Sequence, residues 1–170
     1  MSNVGPSGKA DSGQLEERID LSAEADAKIE QAKALTSSGQ LKEALALLAA
    51  LEKRCRVGND TPSLVRVCEA SLQCCKDAPG DDNIEILITT IQTLATRRSQ
   101  KTQAALALVK KALPWCLVDS YTPKPVSKED QPARDRLVVA LRDITDGKIF
   151  LEGERARLTR ALAIIKVRTS

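Results

Sequence analysis

Few side chains in this 170-residue sequence are equipped for chemistry. Histidine is absent, which removes the commonest general base, the Ser-His and Cys-His nucleophile pairs and the imidazole metal ligands. Cys55, Cys68, Cys74, Cys75 and Cys116 are the thiols. None stands in a C-x-x-C pair, and adjacent Cys74 and Cys75 lack zinc-knuckle spacing. Lying mostly inside helical patterns, they read as small buried hydrophobes in the reduced form. Gly147-Lys148 is no phosphate-binding loop: Arg142 stands where the first glycine belongs, and Ile149 replaces the Ser or Thr. Asp81 and Asp82 suit the positive end of a helix better than an acid–base pair. No catalytic, cofactor-binding or metal-ligating set is therefore assigned, no cofactor is expected, and the chain reads as a non-enzyme.

What remains is charge that could meet another protein. Arg97, Arg98 and Lys101 crowd one expected helix junction. Arginines there can pair with a partner's carboxylates, or only offset the negative end of the helix before them. They are the candidate partner contacts. The formal net charge is +3, and residues 131–170 hold nine basic and five acidic side chains. Such an excess is ordinary for solvated helix faces, and with Trp115, Tyr121 and Phe150 the only aromatics, nothing is available to stack bases. No nucleic acid is expected. No apolar run approaches the length of a membrane span, so no membrane is expected either. Residues 1–20 lack the apolar segment of a secretory signal and read as a disordered tail.

The elements behind these residues are helices. Alanine and leucine fill 43 positions, a composition that favours packed helices over a sheet. Apolar spacing predicts helices over about 22–38, 41–56, 61–76, 82–98, 100–117, 132–145 and 148–168. Ser22 and Thr61 are the expected N-caps, with Pro62 at the first helical position. Gly39 is the left-handed stop between the first two helices, and Pro114 should kink or shorten the end of the fifth. Residues 118–131 form the one long loop, where Pro123 and Pro125 exclude helix. The segment SSGQLKEALALLAALEK resembles the turn and second helix of a tetratricopeptide repeat, in a degenerate form that lacks the aromatic.

Starts near 41 and 82 give a spacing of about forty residues, which suits stacked helix pairs. The expected fold is all-α, a right-handed solenoid of antiparallel helical hairpins over residues 21–170. The last helix is apolar on two sides and wants neighbours on both. Phe150, Leu151, Leu158, Leu162 and Ile165 are therefore the candidate surface for docking a further repeat, and a route to self-association. On this ground the chain is expected to be part of a longer protein. Its acidic and basic residues at 152, 154, 155 and 157 have the spacing to staple their own helix.

Two stretches also carry a specific resemblance. DGKIFLEGERARLTRALAIIK (146–166) and ATRRSQKTQAALALVKKAL (95–113) resemble the 26S proteasome non-ATPase regulatory subunit 12 family, helical-repeat members of the PCI-domain proteins of the regulatory-particle lid. The LEKRCR segment (51–56) has the character of that family's second helix, whereas VRTS after Lys166 leaves its pattern. The resemblance implies a non-catalytic scaffold, with a C-terminal PCI module absent from this chain, acting in ubiquitin-dependent protein degradation. It implies partners among other lid subunits, the ATPase ring and the core particle, in cytoplasm and nucleus. Two alternatives keep the helical repeats and change the partner: a TPR-like adaptor, and a signalosome-type PCI subunit.

Overall fold

A computed structural model describes residues 17–80 and 83–169. Seven α-helices account for most of these residues: α1 (Ser22–Ser37), α2 (Leu41–Val57), α3 (Thr61–Asp77), α4 (Asn83–Ala95), α5 (Thr102–Cys116), α6 (Gln131–Thr145) and α7 (Glu152–Thr169). A two-residue pairing, β1 (Leu117–Val118) with antiparallel β2 (Thr122–Pro123), interrupts them between α5 and α6. One turn of 3-10 helix, Ile149–Leu151, leads into α7. The fold is all-α.

The first two helices are joined as the glycine requires. Gly39 has φ +83, its N–H donates to the Thr36 carbonyl, and the Gln40 N–H reaches back to Leu35 at 2.8 Å. This pair of bonds is the Schellman closure, which satisfies carbonyls left over at the helix end. Asn59 repeats the device after α2, with φ +58 and the Asp60 N–H bonded to the Cys55 carbonyl at 3.0 Å. Asparagine is the residue other than glycine that most readily takes this conformation.

Both expected N-caps move by one residue, to Leu21 and Asp60. Asp60, not Thr61, caps α3: its carboxylate accepts from the Ser63 N–H, which places Pro62 one position further into the first turn. Ser22 lies inside α1, and its N–H and hydroxyl both donate to Asp20. At α3 an ionised carboxylate takes the role assigned to a hydroxyl, because a charged acceptor makes the stronger bond to backbone N–H, whereas α1 starts after Leu21 with no side-chain cap. Of the tail expected over residues 1–20, positions 1–16 lie outside the described residues. The remainder is docked: the Ile19 N–H bonds the Gly58 carbonyl at 3.0 Å, and the Leu21 N–H donates to Asp60 at 2.7 Å. The Asp81–Asp82 pair, assigned to the start of the fourth helix, also lies outside the described residues.

Helix α3 is central to the packing, touching α1, α2, α4 and α5, while α6 joins α4 and α5 to α7. The core is one continuous cluster of aliphatics that includes Leu48, Leu64, Leu72, Ile91, Leu108, Leu141 and Leu158, all fully buried. Fully burying such a side chain is worth about 1.5–3 kcal/mol each. Pro114 stands inside α5 without ending it at once; the helix runs two residues further, to Cys116. No helix among the described residues is long and apolar enough to cross a membrane.

Candidate protein-interaction surface

Helix α4 stops at Ala95, three residues short of the expected end, and Ser99 in the turn beyond it has φ +61. Arg97 and Arg98 therefore lie in the turn beyond the helix rather than on its last turn. Their setting is built around a residue that sequence reasoning passed over. Glu52 on α2 is 1% exposed, and a bare carboxylate at that depth would be strongly disfavoured. Arg56, one turn on, holds it with Nε at 3.0 Å from Oε2 and a second nitrogen at 3.4 Å from Oε1. Gln100 reaches it from the far side of the chain, donating Nε2 to Oε2 at 3.0 Å and to the Leu94 carbonyl at 2.8 Å.

The same turn is tied down twice more. Arg56 donates to the Arg98 carbonyl at 3.0 Å, and Lys101 donates Nζ to Asn59 Oδ1 at 2.7 Å. Lys101 is thus a link between the end of α2 and the start of α5. Arg98 turns an exposed side chain outward. Arg97 is different from both. Its Nε sits 3.7 Å from Glu52 Oε1, is itself buried, and has no hydrogen-bond partner among the described residues. Both oxygens of Glu52 already accept bonds from Arg56 or Gln100, which leaves Arg97 held by charge alone. The one signal in the sequence was the i,i+4 spacing of Glu52 and Arg56, which suggests a pair but not a buried one.

The candidate docking set on the last helix divides. Leu151 and Leu158 are fully buried, and Ile165 is 8% exposed; all three belong to this chain's own core and present no surface. Leu162 is half-buried against that core. Phe150 is exposed, as is its neighbour Ile149. The expected staples also take other partners. Arg155 pairs with Asp146 at 3.2 Å, and Arg157 donates to the backbone carbonyls of Ser120 and Asp119 at 2.5 and 3.2 Å. Arg160 lies over the Tyr121 ring, 3.7 Å from its centroid. These contacts seat the loop hairpin on α7, an arrangement that two-residue strands gave no means to foresee.

All five cysteines are free and buried. Burial is the leading cause that pushes Cys55 and Cys75 up to about 11, and Cys68 and Cys116 up to about 12; it raises Cys74 as well. Thiols so held are almost wholly protonated at neutral pH, and the thiolate is the nucleophile. Among the described residues, no three His, Cys, Asp or Glu side chains are grouped to hold a metal ion.

The family described as PSMD12/CSN4, N-terminal, matches residues 43–170. The chain is 35% identical over 147 residues to a 26S proteasome non-ATPase regulatory subunit 12 of Dictyostelium discoideum, covering 86% of this chain and 30% of that protein. It is also 33% identical over 129 residues to 26S proteasome non-ATPase regulatory subunit 12 homolog A of Arabidopsis thaliana, covering 76% and 26% respectively. With homolog B of that plant the figures are 29% over 132 residues, 78% and 27%. The chain spans less than a third of the length of these curated relatives.

Proposed function

Because the chain belongs to the PSMD12/CSN4 N-terminal family, we propose that it serves as a non-catalytic scaffold of the 26S proteasome regulatory-particle lid. Its work is binding: helical hairpins, stacked as a right-handed solenoid over residues 21–170, offer an extended face for contacts with neighbouring subunits. The partners of this reading are other lid subunits, the ATPase ring and the core particle, and its places are cytoplasm and nucleus. Through them it supports assembly and ubiquitin-dependent degradation. The observation that carries the reading is the match to subunit 12 relatives across most of the chain. Two features of the molecule support it. The polar contacts join one helix pair to the next, as at Glu52 and Gln100, and the thiols are held in their unreactive form.

A second reading is a signalosome-type subunit, favoured by a family description that carries two names. Sedimentation of the tagged protein from its own cells separates the two. Under the first, it travels with a large particle that cleaves a fluorogenic peptide. Recovery in a smaller complex without peptidase activity would overturn that reading and support the second.

A further inference from the structure

We propose that the cleft where α3 and α5 end and α4 and α6 begin binds a partner protein's segment in which Asp or Glu flanks an apolar side chain. The proposal rests on the scaffold reading above and names the chemistry of one segment the scaffold holds. The cleft is about 350 Å3. Its floor is apolar: Leu87 of α4 and Leu137 of α6 are buried there, with half-buried Trp115 of α5 beside them. Its rim is cationic. Lys76 at the end of α3, Lys124 just after β2 and Arg134 on α6 line it, against one carboxylate, Asp130.

The rim's charge is only partly answered from within. Arg134 donates Nε and Nη2 to Asp135 at 2.9 and 2.8 Å, and Nη1 to the Lys124 carbonyl at 2.9 Å, so its charge is compensated. Asp130 accepts from the Ser127 hydroxyl at 3.0 Å. Among the described residues, no carboxylate forms an ion pair with Lys76, Lys111 or Lys124. Lys76 and Lys111 share the Trp115 indole instead, with Nζ 5.7 and 5.9 Å from the ring centroid. An aromatic face attracts an ammonium group but carries no net charge. Three ammonium groups thus gather at the cleft and its indole without a counter-charge, and a concave, partly apolar wall focuses their field on what enters.

The floor decides between anions. A phosphate group or a nucleic-acid backbone would match the rim and leave Leu87 and Leu137 uncovered. A protein segment brings both halves: an apolar side chain for the floor and carboxylates for Lys76 and Lys124.

The test places a genetically encoded aliphatic diazirine at Val126, a half-buried residue of the cleft, in the full protein expressed in its own cells. Particles are purified by sedimentation and irradiated, and the cross-linked peptides are sequenced. The expected result is a cross-link to another subunit, beside an apolar residue flanked by Asp or Glu. Lys76→Glu with Lys124→Glu should lower the yield at least about fivefold. Changing the partner's flanking carboxylates to lysine should then restore it, which a misfolded variant would not allow. Lys76→Arg with Lys124→Arg should keep the parent's yield. Absence of the protein from the peptidase-active particle overturns the scaffold reading and this proposal with it. Presence in the particle without a cross-link overturns the cleft alone. So does a cross-link to a segment without carboxylates or to a second copy of this chain. A yield that ignores the charge reversal, or that the partner's lysines fail to restore, overturns it equally.

Discussion

The turn between α4 and α5 and the loop between α5 and α6 do the same job with opposite chemistry. Each must fix the direction in which the next helix leaves. The first does so from inside: Glu52, 1% exposed, gathers Arg56 and Gln100 across a gap of 48 positions in the chain. The second does so from outside. Arg157 donates to the carbonyls of Ser120 and Asp119 at exposed positions, and Tyr121 stacks under Arg160. A buried carboxylate allows no partial loss, because each missing donor leaves charge without compensation in a poorly solvated place. Carbonyls at the surface can exchange an arginine for water at little cost. Helices of similar composition are therefore joined stiffly at one place and more loosely at another.

Substitutions break this contrast in a definite order. Glu52→Ala should have the largest effect, lowering unfolding free energy by about 3–4 kcal/mol, since Arg56 and Gln100 both lose their acceptor; urea titration reads it. Gln100→Ala should follow at about 1–2 kcal/mol, because Glu52 keeps Arg56 while the Leu94 carbonyl loses its donor. Asp60→Ala belongs in the same range, about 1–2 kcal/mol, as it removes a cap and the anchor of Leu21 together. Arg157→Ala should be smallest, less than about 1 kcal/mol at this exposed site. An Arg157 effect as large as that of Glu52 would erase the distinction.

Acid sharpens it further. Burial works to raise Asp60, but donors from Ser63 and Leu21 outweigh that and hold its carboxyl below the ordinary 3.8. A group lowered in the folded state contributes stability above its unfolded value and loses it as pH falls through the folded one. The stability difference between the parent and Asp60→Asn should therefore be full at neutral pH and fade as pH falls below the ordinary carboxylate value and through the lowered one. A difference that stays constant with pH would show that the carboxylate charge contributes nothing there.

Much of the architecture was legible in the residues, and the exceptions have physical causes. Gly39 and the Asp146–Gly147 pair marked turns because few residues other than glycine take positive φ. Thr61-Pro62 marked a helix start correctly but drew attention from Asp60, one position earlier, whose charge made it the better cap. Glu52 escaped notice for a different reason. A glutamate amid Lys53, Arg54 and Arg56 reads as part of a solvated face, and only the distant approach of Gln100 makes it an interior group. The last helix shows the same limit. Two apolar stripes are visible in it, but nothing local tells which faces inward, and Leu151, Leu158 and Ile165, candidates for a docking surface by pattern, fill the core. Lysine and arginine at 97, 98 and 101 were found as a cluster. Their separate fates, one bonded to Asn59 and one left short of an acceptor, depend on residues some forty positions away.

Native-state hydrogen exchange, resolved by residue, tests the contrast between the two connections most directly. Amides that close the turn after α4, such as Gln100 on the Arg97 carbonyl and Ala105 on Lys101, are bonded beside the buried carboxylate. They should exchange only through global unfolding, whereas the Lys124 amide, bonded to Cys116 in the outer loop, should exchange at least about 100-fold faster through local opening. Equal rates at the two places, or slower exchange at Lys124, would contradict the account.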